Sequence, residues 1–177
     1  MPQIAFLLGD TRLARHDNHE RLPRGFARAG WQTTCIAQTD IRLTPRGIRL
    51  GGHDPAGFDL IWPVGLGAAA SFLDRMQLLR ELPAERLVVS VDALTYWHAK
   101  YPWWRFMPET WASGDAAYLA ARLAGGGDWV VKPPAGSFGR EVRRIRDDED
   151  GRRAIEAATR DGRYALLQRY VPEGENG

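Results

Sequence analysis

The sequence predicts an α/β fold in two parts, a parallel-sheet domain over residues 1–104 followed by an α+β module over residues 105–177. In the first hundred residues, short apolar runs alternate with stretches of helical periodicity. This alternation is typical of a parallel sheet with crossover helices. After residue 105, helices alternate with pairs of apolar runs, which indicates a second module of α+β type docked on the first.

The first part opens on a short apolar run, Ile4 to Leu8, which Gly9 closes, as expected of a buried parallel strand. The spacing of Leu22 and Phe26 predicts a helix that ends before Gly30, a residue suited to a helix C-terminus. The remaining expectations for this part are strands over 31–37, 58–64 and 86–91, helices over 18–29, 68–82 and 92–99, and a loop or small hairpin over 40–57.

An aromatic cluster lies across the boundary between the two parts, and packing at a hinge between two domains is favoured over a platform for nucleic-acid bases. The same cluster could serve an interface in a homo-oligomer, and the oligomeric state is left open. Its members are Tyr101, Trp103, Trp104, Phe106 and Trp111. Beyond it we expect helices over 115–124 and 148–160, strands over 129–132, 141–145 and 164–170, and a glycine-bearing loop after residue 132.

Composition argues against several classes of function. The 24 basic and 22 acidic residues are interleaved, which argues against a nucleic-acid partner, and no apolar run approaches the ~18 residues of a membrane span. No signal peptide is recognisable, so a cytoplasmic location is expected. The single cysteine, Cys35, lies in a predicted strand and is expected to be a buried, unreactive thiol.

No metal site is predicted within these 177 residues. The four histidines lack the spacing of metal ligands. The acidic run Asp147 to Asp150 is interpreted as the start of a helix, where carboxylates complement the helix dipole and cap the first turn.

Lysine is the rarest charged residue here. Of the 24 basic residues only Lys100 and Lys132 are lysine, and all the others are arginine. A bias toward arginine in the source genome would explain the excess but not these two exceptions. A lysine ammonium is a compact charge suited to a point contact with phosphate, whereas the arginine fork suits paired oxygens.

Lys132 ends a predicted strand and precedes a loop with Gly136 and Gly139, after which a second strand begins. Glycines allow backbone amides to approach an anion, so the loop could cover phosphates while the lysine supplies charge. An ordinary hairpin with an exposed lysine stays open as the other interpretation. The order of residues excludes a Walker A loop.

Four segments, in order along nearly the whole chain, resemble ATP-grasp enzymes of the glutathione synthetase and RimK-like branch. These segments are the helix ending in Lys100, the Met107-Pro108-Glu109-Thr110 entry strand, the strand and glycine loop from Val131 to Gly139, and the Gln168-Arg169-Tyr170-Val171-Pro172 hinge. The two lysines fall on the two phosphate-contacting lysines of that family.

The resemblance implies a pre-ATP-grasp domain followed by the first subdomain of an ATP-grasp domain. It implies that ATP is bound by Lys100 and Lys132 at its α- and β-phosphates, and by amides of the glycine loop at the γ-phosphate end. The loop residues are Gly136, Ser137, Phe138 and Gly139; Phe138 replaces a smaller residue of many relatives. The adenine would be bound by Gln168 and by the backbone of Arg169, Tyr170 and Val171.

The resemblance also implies the reaction: an ATP-dependent ligase activates a carboxylate as an acyl-phosphate, which an amine then attacks. Its magnesium ligands are expected beyond residue 177, and the 177-residue chain alone is expected to be inactive. The alternative is a non-catalytic nucleotide-binding or regulatory module. A Rossmann domain is disfavoured because Gly9-Asp10-Thr11 lacks the glycine fingerprint. The acid and the amine are not identified.

Overall fold

The computed structural model describes residues 1–9, 17–135, 139 and 141–172. Over these residues the chain divides into two compact units, Met1–Tyr96 and Trp97–Gly177. No helix in the described ranges is long and apolar enough to cross a membrane.

The first unit is built on a three-stranded parallel sheet. Its strands are β1 (Gln3–Leu8), β2 (Gln32–Ala37) and β5 (Leu60–Val64), in the order β2-β1-β5. A hairpin of β3 (Ile41–Thr44) and β4 (Gly47–Leu50) and the helices α1 (Asn18–Arg28) and α2 (Phe72–Arg80) complete it. The predicted crossover from strand through helix to parallel strand is thus present between β1 and β2.

Apolar alternation along β1 supplies both faces of this sheet. Ala5 and Leu7 pack into a core with α2 and the hairpin, whereas the ring of Phe6 meets Phe26 of α1 at a centroid distance of 5.5 Å. All three β1 side chains are fully buried, and each large one stabilises the unit by about 1.5–3 kcal/mol.

One expectation for the first unit is wrong. No strand forms over 86–91: a 3₁₀ turn over Ala84–Arg86 leads into Leu87, which makes one isolated bridge to Ile61. The helix expected over 92–99 is present in shorter form, as a π-helical turn over Ala93–Trp97.

Cys35 is exposed, so the prediction of a buried thiol is also wrong. It lies on β2 at the sheet edge, and strand alternation turns the neighbouring Ile36, rather than Cys35, into the core. Partial desolvation nevertheless raises the pKa of the Cys35 thiol, which keeps its reactive thiolate scarce at neutral pH.

The second unit is a four-stranded antiparallel sheet with two helices. The strands are β6 (Thr110–Ser113), β7 (Trp129–Lys132), β8 (Arg143–Ile145) and β9 (Ala165–Arg169), in the order β6-β9-β7-β8. The helices are α3 (Ala116–Leu123) and α4 (Glu149–Thr159), and their apolar residues form one core with Trp129, Val131 and Leu167.

Side-chain caps fix where the two helices begin. Asp115 accepts from the Tyr118 N–H at 3.1 Å, and Asp148 accepts from the Gly151 N–H at 2.7 Å. Each cap is worth about 1 kcal/mol. The acidic run at 147–150 is therefore the start of a helix, as expected, with Asp147 and Asp150 paired to arginines.

The aromatic cluster divides in the structure. Trp111 packs against the core of the second unit, whereas Trp104 and Phe106 are exposed, at 63% and 84% of their surface. The segment carrying Trp103, Trp104 and Phe106 is a 3₁₀ helix over Tyr101–Phe106.

Candidate nucleotide-binding site

The candidate site lies on the face of the second sheet opposite the helices. Strand alternation turns Trp129 and Val131 of β7 into the core and leaves Val130 and Lys132 on the other face. The antiparallel register places Thr110 of β6 opposite Gln168 of β9, and Gln168 opposite Val130 of β7. Since Lys132 lies two residues after Val130 on the same face, polar side chains from three strands meet there.

Hydrogen bonds join these side chains in a row. The Lys132 ammonium donates to Gln168 Oε1 at 2.6 Å, and Gln168 Nε2 donates to Thr110 Oγ1 at 2.8 Å. The Thr110 hydroxyl in turn donates to the Pro108 carbonyl at 2.6 Å. We call these three side chains the β6-β9-β7 relay.

Lys100 reaches the same region from the segment before β6. Its ammonium donates to the carbonyl oxygens of Pro133 and Pro134, at 3.3 and 3.1 Å. Because these two residues directly follow Lys132, the structure brings the two lysines of the chain to one place.

The two ammoniums create an electropositive site. Burial lowers the pKa of Lys132, and the nearby charge of Lys100 lowers it further; burial also lowers the pKa of Lys100. In the part of the chain that the structure describes, neither lysine forms an ion pair with an acidic side chain. Partly buried cations held only by neutral acceptors favour an anionic ligand, which would relieve their mutual repulsion.

At the C-terminal end of β9, the backbone N–H groups differ in whether they are already hydrogen-bonded. The Arg169 N–H donates to the Glu109 carbonyl at 2.8 Å and the Tyr170 N–H to the Asp128 carbonyl at 3.0 Å, so both are occupied within the unit. Within the described residues the Val171 N–H has no backbone acceptor. Among Arg169, Tyr170 and Val171, Val171 is therefore the residue whose backbone N–H is available to donate to the edge of a planar ligand.

Arg144 packs against the same C-terminal end of β9. Its guanidinium lies 3.9 Å from the centre of the Tyr170 ring, a cation–π arrangement, and it donates to the carboxylate of Asp128. Asp128 also accepts from Arg146. These two hydrogen bonds hold the pKa of Asp128 at about 2.

This low pKa predicts how the stabilising effect of Asp128 and its two arginine partners depends on pH. A carboxyl whose folded pKa lies below its unfolded value of about 3.9 contributes stability above pH 4 and loses it as pH falls toward 2. Asp128→Asn should therefore lower the free energy of unfolding by a constant amount from pH 8 to pH 5, and most of the difference should be lost by pH 2. Denaturant titrations of both proteins at each pH measure it, and a difference that shrinks near neutrality would contradict the assignment.

Comparison with known proteins decides the fold. No protein-family model matches the sequence, and no curated protein matches it either. Solved structures do match over almost the whole chain. A RimK-domain ATP-grasp protein from Sphaerobacter thermophilus superposes with a TM-score of 0.68 at 22% identity, covering 96% of this chain and 64% of that protein.

Two further structures agree. D-cycloserine synthetase DcsG gives a TM-score of 0.68 at 18% identity, covering 96% of this chain and 59% of that one. The ATP-grasp ligase PsnB, solved with a precursor variant, Mg and ADP, gives 0.61 at 15% identity, covering 96% and 65%. The chain has an ATP-grasp fold. It spans about 60–65% of the length of these proteins.

The predicted fold class and the predicted ATP-grasp resemblance are thereby confirmed at the level of the fold. On this ATP-grasp fold, the structure brings together Lys100, Lys132 and Gln168 from the predicted site residues, with Arg169, Tyr170 and Val171 at the adjoining strand exit. Gly139 has a φ of +66°, a conformation suited to glycine. Gly136, Ser137 and Phe138 lie outside the described residues.

Sequence reasoning missed three participants. Thr110, Asp128 and Arg144 lie on different strands or before them, and only the register of the sheet shows that they reach the site. The resemblance included Thr110 in a motif but gave it no role. Across the described ranges, no group of three or more His, Cys, Asp or Glu side chains could hold a metal ion.

Proposed function

We propose that this chain is the nucleotide-binding part of an ATP-dependent ligase that joins a carboxylate to an amine through an acyl-phosphate. The observation that carries the proposal is the meeting of Lys100 and Lys132 beside the sheet face opposite the helices, where both ammoniums donate to neutral acceptors among the described residues. Each ammonium retains donors for phosphate oxygens. Support comes from the matched structures, whose names include a synthetase and a ligase solved with ADP.

The roles follow from position. Lys100 and Lys132 neutralise the α- and β-phosphates, and such charge compensation lets a carboxylate approach the polyphosphate. Gly136, Ser137, Phe138 and Gly139 form the loop over the γ-phosphate end. The strip Arg169 to Val171 carries the adenine edge, with Val171 supplying an N–H that has no backbone acceptor among the described residues.

The proposal includes magnesium only through the comparison with PsnB, which was solved with Mg. The residues described here contain no suitable set of ligands. We therefore assign no magnesium ligand among them, and place those ligands outside the described part of the protein. The acid and the amine are not identified, and glutathione precursors are the nearest analogy. The ligase is expected to act in the cytoplasm.

Calorimetry of the 177-residue chain with ATP, ADP, AMP and adenosine tests the proposal. Affinity should rise with the number of phosphates, since the two lysines act on the phosphate chain. Equal affinity for ATP and adenosine, or no binding of any of them, would overturn it. Trapping an acyl-phosphate with hydroxylamine distinguishes the ligase from a non-catalytic nucleotide-binding module, which would bind ATP but form no hydroxamate.

The proposal also predicts the pH dependence of binding. Because burial and Lys100 lower the pKa of Lys132, this group loses its proton before an unperturbed lysine, whose pKa is about 10.4. ATP affinity should be constant near neutrality and fall as pH rises through the lowered pKa. Calorimetry from pH 7 to 10 measures the decline, and a Lys132→Met variant should have a flatter profile. An affinity that stays constant to pH 10 would contradict the assignment.

A further inference from the structure

The first unit has a buried polar cluster that the proposed nucleotide site does not use. It consists of Gln38, which directly follows β2, and Arg75 of α2, whose exposed fractions are only 7% and 6%. Both side chains contact the loop after β5, residues 65–69, which we call the β5 loop. The cluster therefore lies at the carboxyl edge of the parallel sheet.

The β5 loop leaves the sheet where the strand order reverses. The chain passes from the central strand β1 to β2 on one side and later to β5 on the other, with α1 packed on one sheet face and α2 on the opposite face. Gly9, which follows β1, lies close to this loop, since a Cβ there would come 3.4 Å from the Cα of Gly67. Open α/β sheets bind ligands outside the carboxyl ends of the strands at such a reversal.

Gln38 and Arg75 turn carbonyl groups of the β5 loop inward. Gln38 Nε2 donates to the Gly65 carbonyl at 3.0 Å. The Arg75 guanidinium donates to the carbonyls of Leu66 and Ala68, at 2.7 and 2.8 Å. The two buried side chains thus hold three carbonyls of this short loop from the interior.

These contacts leave N–H groups on the outer side of the β5 loop. A trans peptide group points its N–H opposite to its carbonyl, and the described residues include no cis peptide bond. The N–H groups of Leu66, Gly67 and Ala69 therefore face away from the buried guanidinium. Among the residues that the structure describes, none of the three donates to a backbone acceptor. The loop thus offers three donors to a ligand, beside the exposed residues Gly67 and Ala69.

The charge behind these donors is positive. Within the described ranges Arg75 donates only to neutral acceptors, which are the two loop carbonyls and the Ser71 hydroxyl. Burial lowers the pKa of Arg75 and the exposed Asp74 beside it partly offsets this, yet a guanidinium stays charged. Arg75 Nε and Gln38 Oε1 also lack hydrogen-bond partners among the described residues, so the loop does not satisfy the whole cluster. A buried cation beneath outward N–H groups favours an anion at the loop surface.

We propose that the β5 loop is a binding site for a carboxylate group of a small acid substrate, with the N–H groups of Leu66, Gly67 and Ala69 as its donors. Arg75 is a positioning residue, because it acts through the loop carbonyls and through its charge without touching the ligand. The inference rests on the proposed ligase function for the choice of a carboxylate among anions, since such a ligase takes an acid. Each N–H donated to a carboxylate forms a charge-assisted hydrogen bond.

Amide NMR titrations of the 177-residue wild-type chain test the site directly. The probes are glutarate, glutaramide, which has the same carbon chain with neutral ends, and sodium chloride at matched ionic strength. Glutarate should shift the amide signals of Leu66, Gly67 and Ala69 and saturate in the millimolar range, whereas glutaramide and chloride should leave them in place. Unchanged signals with glutarate, or equal shifts with either control, would overturn the inference.

Two variants on α2 test the role of the buried charge. Arg75→Gln keeps a polar side chain but removes the cation, and should weaken glutarate binding about tenfold. Arg80→Gln is the matched control, because Arg80 is exposed and pairs with Asp92; its affinity for glutarate should stay within about twofold of wild type. Equal affinities in all three proteins would overturn the role of Arg75. The wild-type titration decides the existence of the site even if Arg75→Gln fails to fold.

An ATP titration of the same wild-type sample separates this inference from the proposed function. Binding of ATP without any effect of glutarate on the β5 loop would overturn the inference and leave the nucleotide site standing. Saturable binding of glutarate at the loop in a chain that binds no nucleotide would support the carboxylate site and overturn the proposed function.

Discussion

Lys132→Met should lower the affinity of the chain for ATP about 30- to 100-fold. The substitution removes a partly buried ammonium that would contact phosphate, and charge-assisted hydrogen bonds of this kind are worth about 2–3 kcal/mol. It also removes a cation whose burial disfavours folding, so the free energy of unfolding should fall little or rise. Calorimetric titration with ATP and denaturant unfolding of the same variant measure the two quantities.

The matched control for this loss is Arg153→Met. Arg153 lies on α4 of the same unit, is exposed, and pairs with Glu149 and Asp150 on its own helix. The control removes the same amount of charge from the protein without touching the sheet face, so its ATP affinity should stay within about twofold of wild type, as exposed ion pairs are worth ≲1 kcal/mol. Equal losses in both variants would show that Lys132 acts only through net charge.

Gly151→Ala should destabilise the second unit by about 3 kcal/mol, although alanine is the better helix former. Gly151 lies in the first turn of α4, and a Cβ there would come 2.1 Å from the carbonyl oxygen of Arg146. Backbone cannot move aside as a flexible side chain can, so the added methyl must displace the turn that connects β8 to α4. Denaturant unfolding followed by tryptophan fluorescence measures the effect.

Gly25→Ala is the control with the opposite expected sign. Gly25 is also helical, in α1, but a Cβ there meets nothing within 4 Å. Alanine should therefore stabilise the first unit by about 0.5–1 kcal/mol through helix propensity. If both alanine substitutions stabilise the protein, the result contradicts the close approach of Gly151 to the Arg146 carbonyl.

Periodicity in the sequence was sufficient for most elements. The strands around Phe6, Val131 and Leu167 and the helix around Ile155 contribute buried apolar residues, and apolar runs or apolar spacing in the sequence predicted each of them. The helix around Phe26 was predicted in the same way, although none of its residues is fully buried. Periodicity failed for 86–91, where Leu87 and Val88 have the composition of a strand but only an isolated bridge between Leu87 and Ile61 forms. Residue composition does not show how far the pairing of two segments extends.

The site was partly predictable for a different reason. Lys100 and Lys132 are distinguished by residue type alone in a chain otherwise rich in arginine, and both reach the site. Thr110 could not be found that way, because threonine is ordinary in a strand and its role depends on the β6–β9 register. Cys35 was mispredicted since local hydrophobicity does not reveal that β2 is an edge strand.

The order of strands in the second sheet has a consequence for synthesis on the ribosome. β9 is the last strand in the sequence, yet it lies between β6 and β7 and pairs with both. Until residue 169 has left the exit tunnel, β6 has no partner in this sheet and Lys132 has no Gln168 to bind. The nascent second unit therefore cannot close progressively from its N-terminus, and the apolar surface of its earlier strands stays exposed until the last segment emerges.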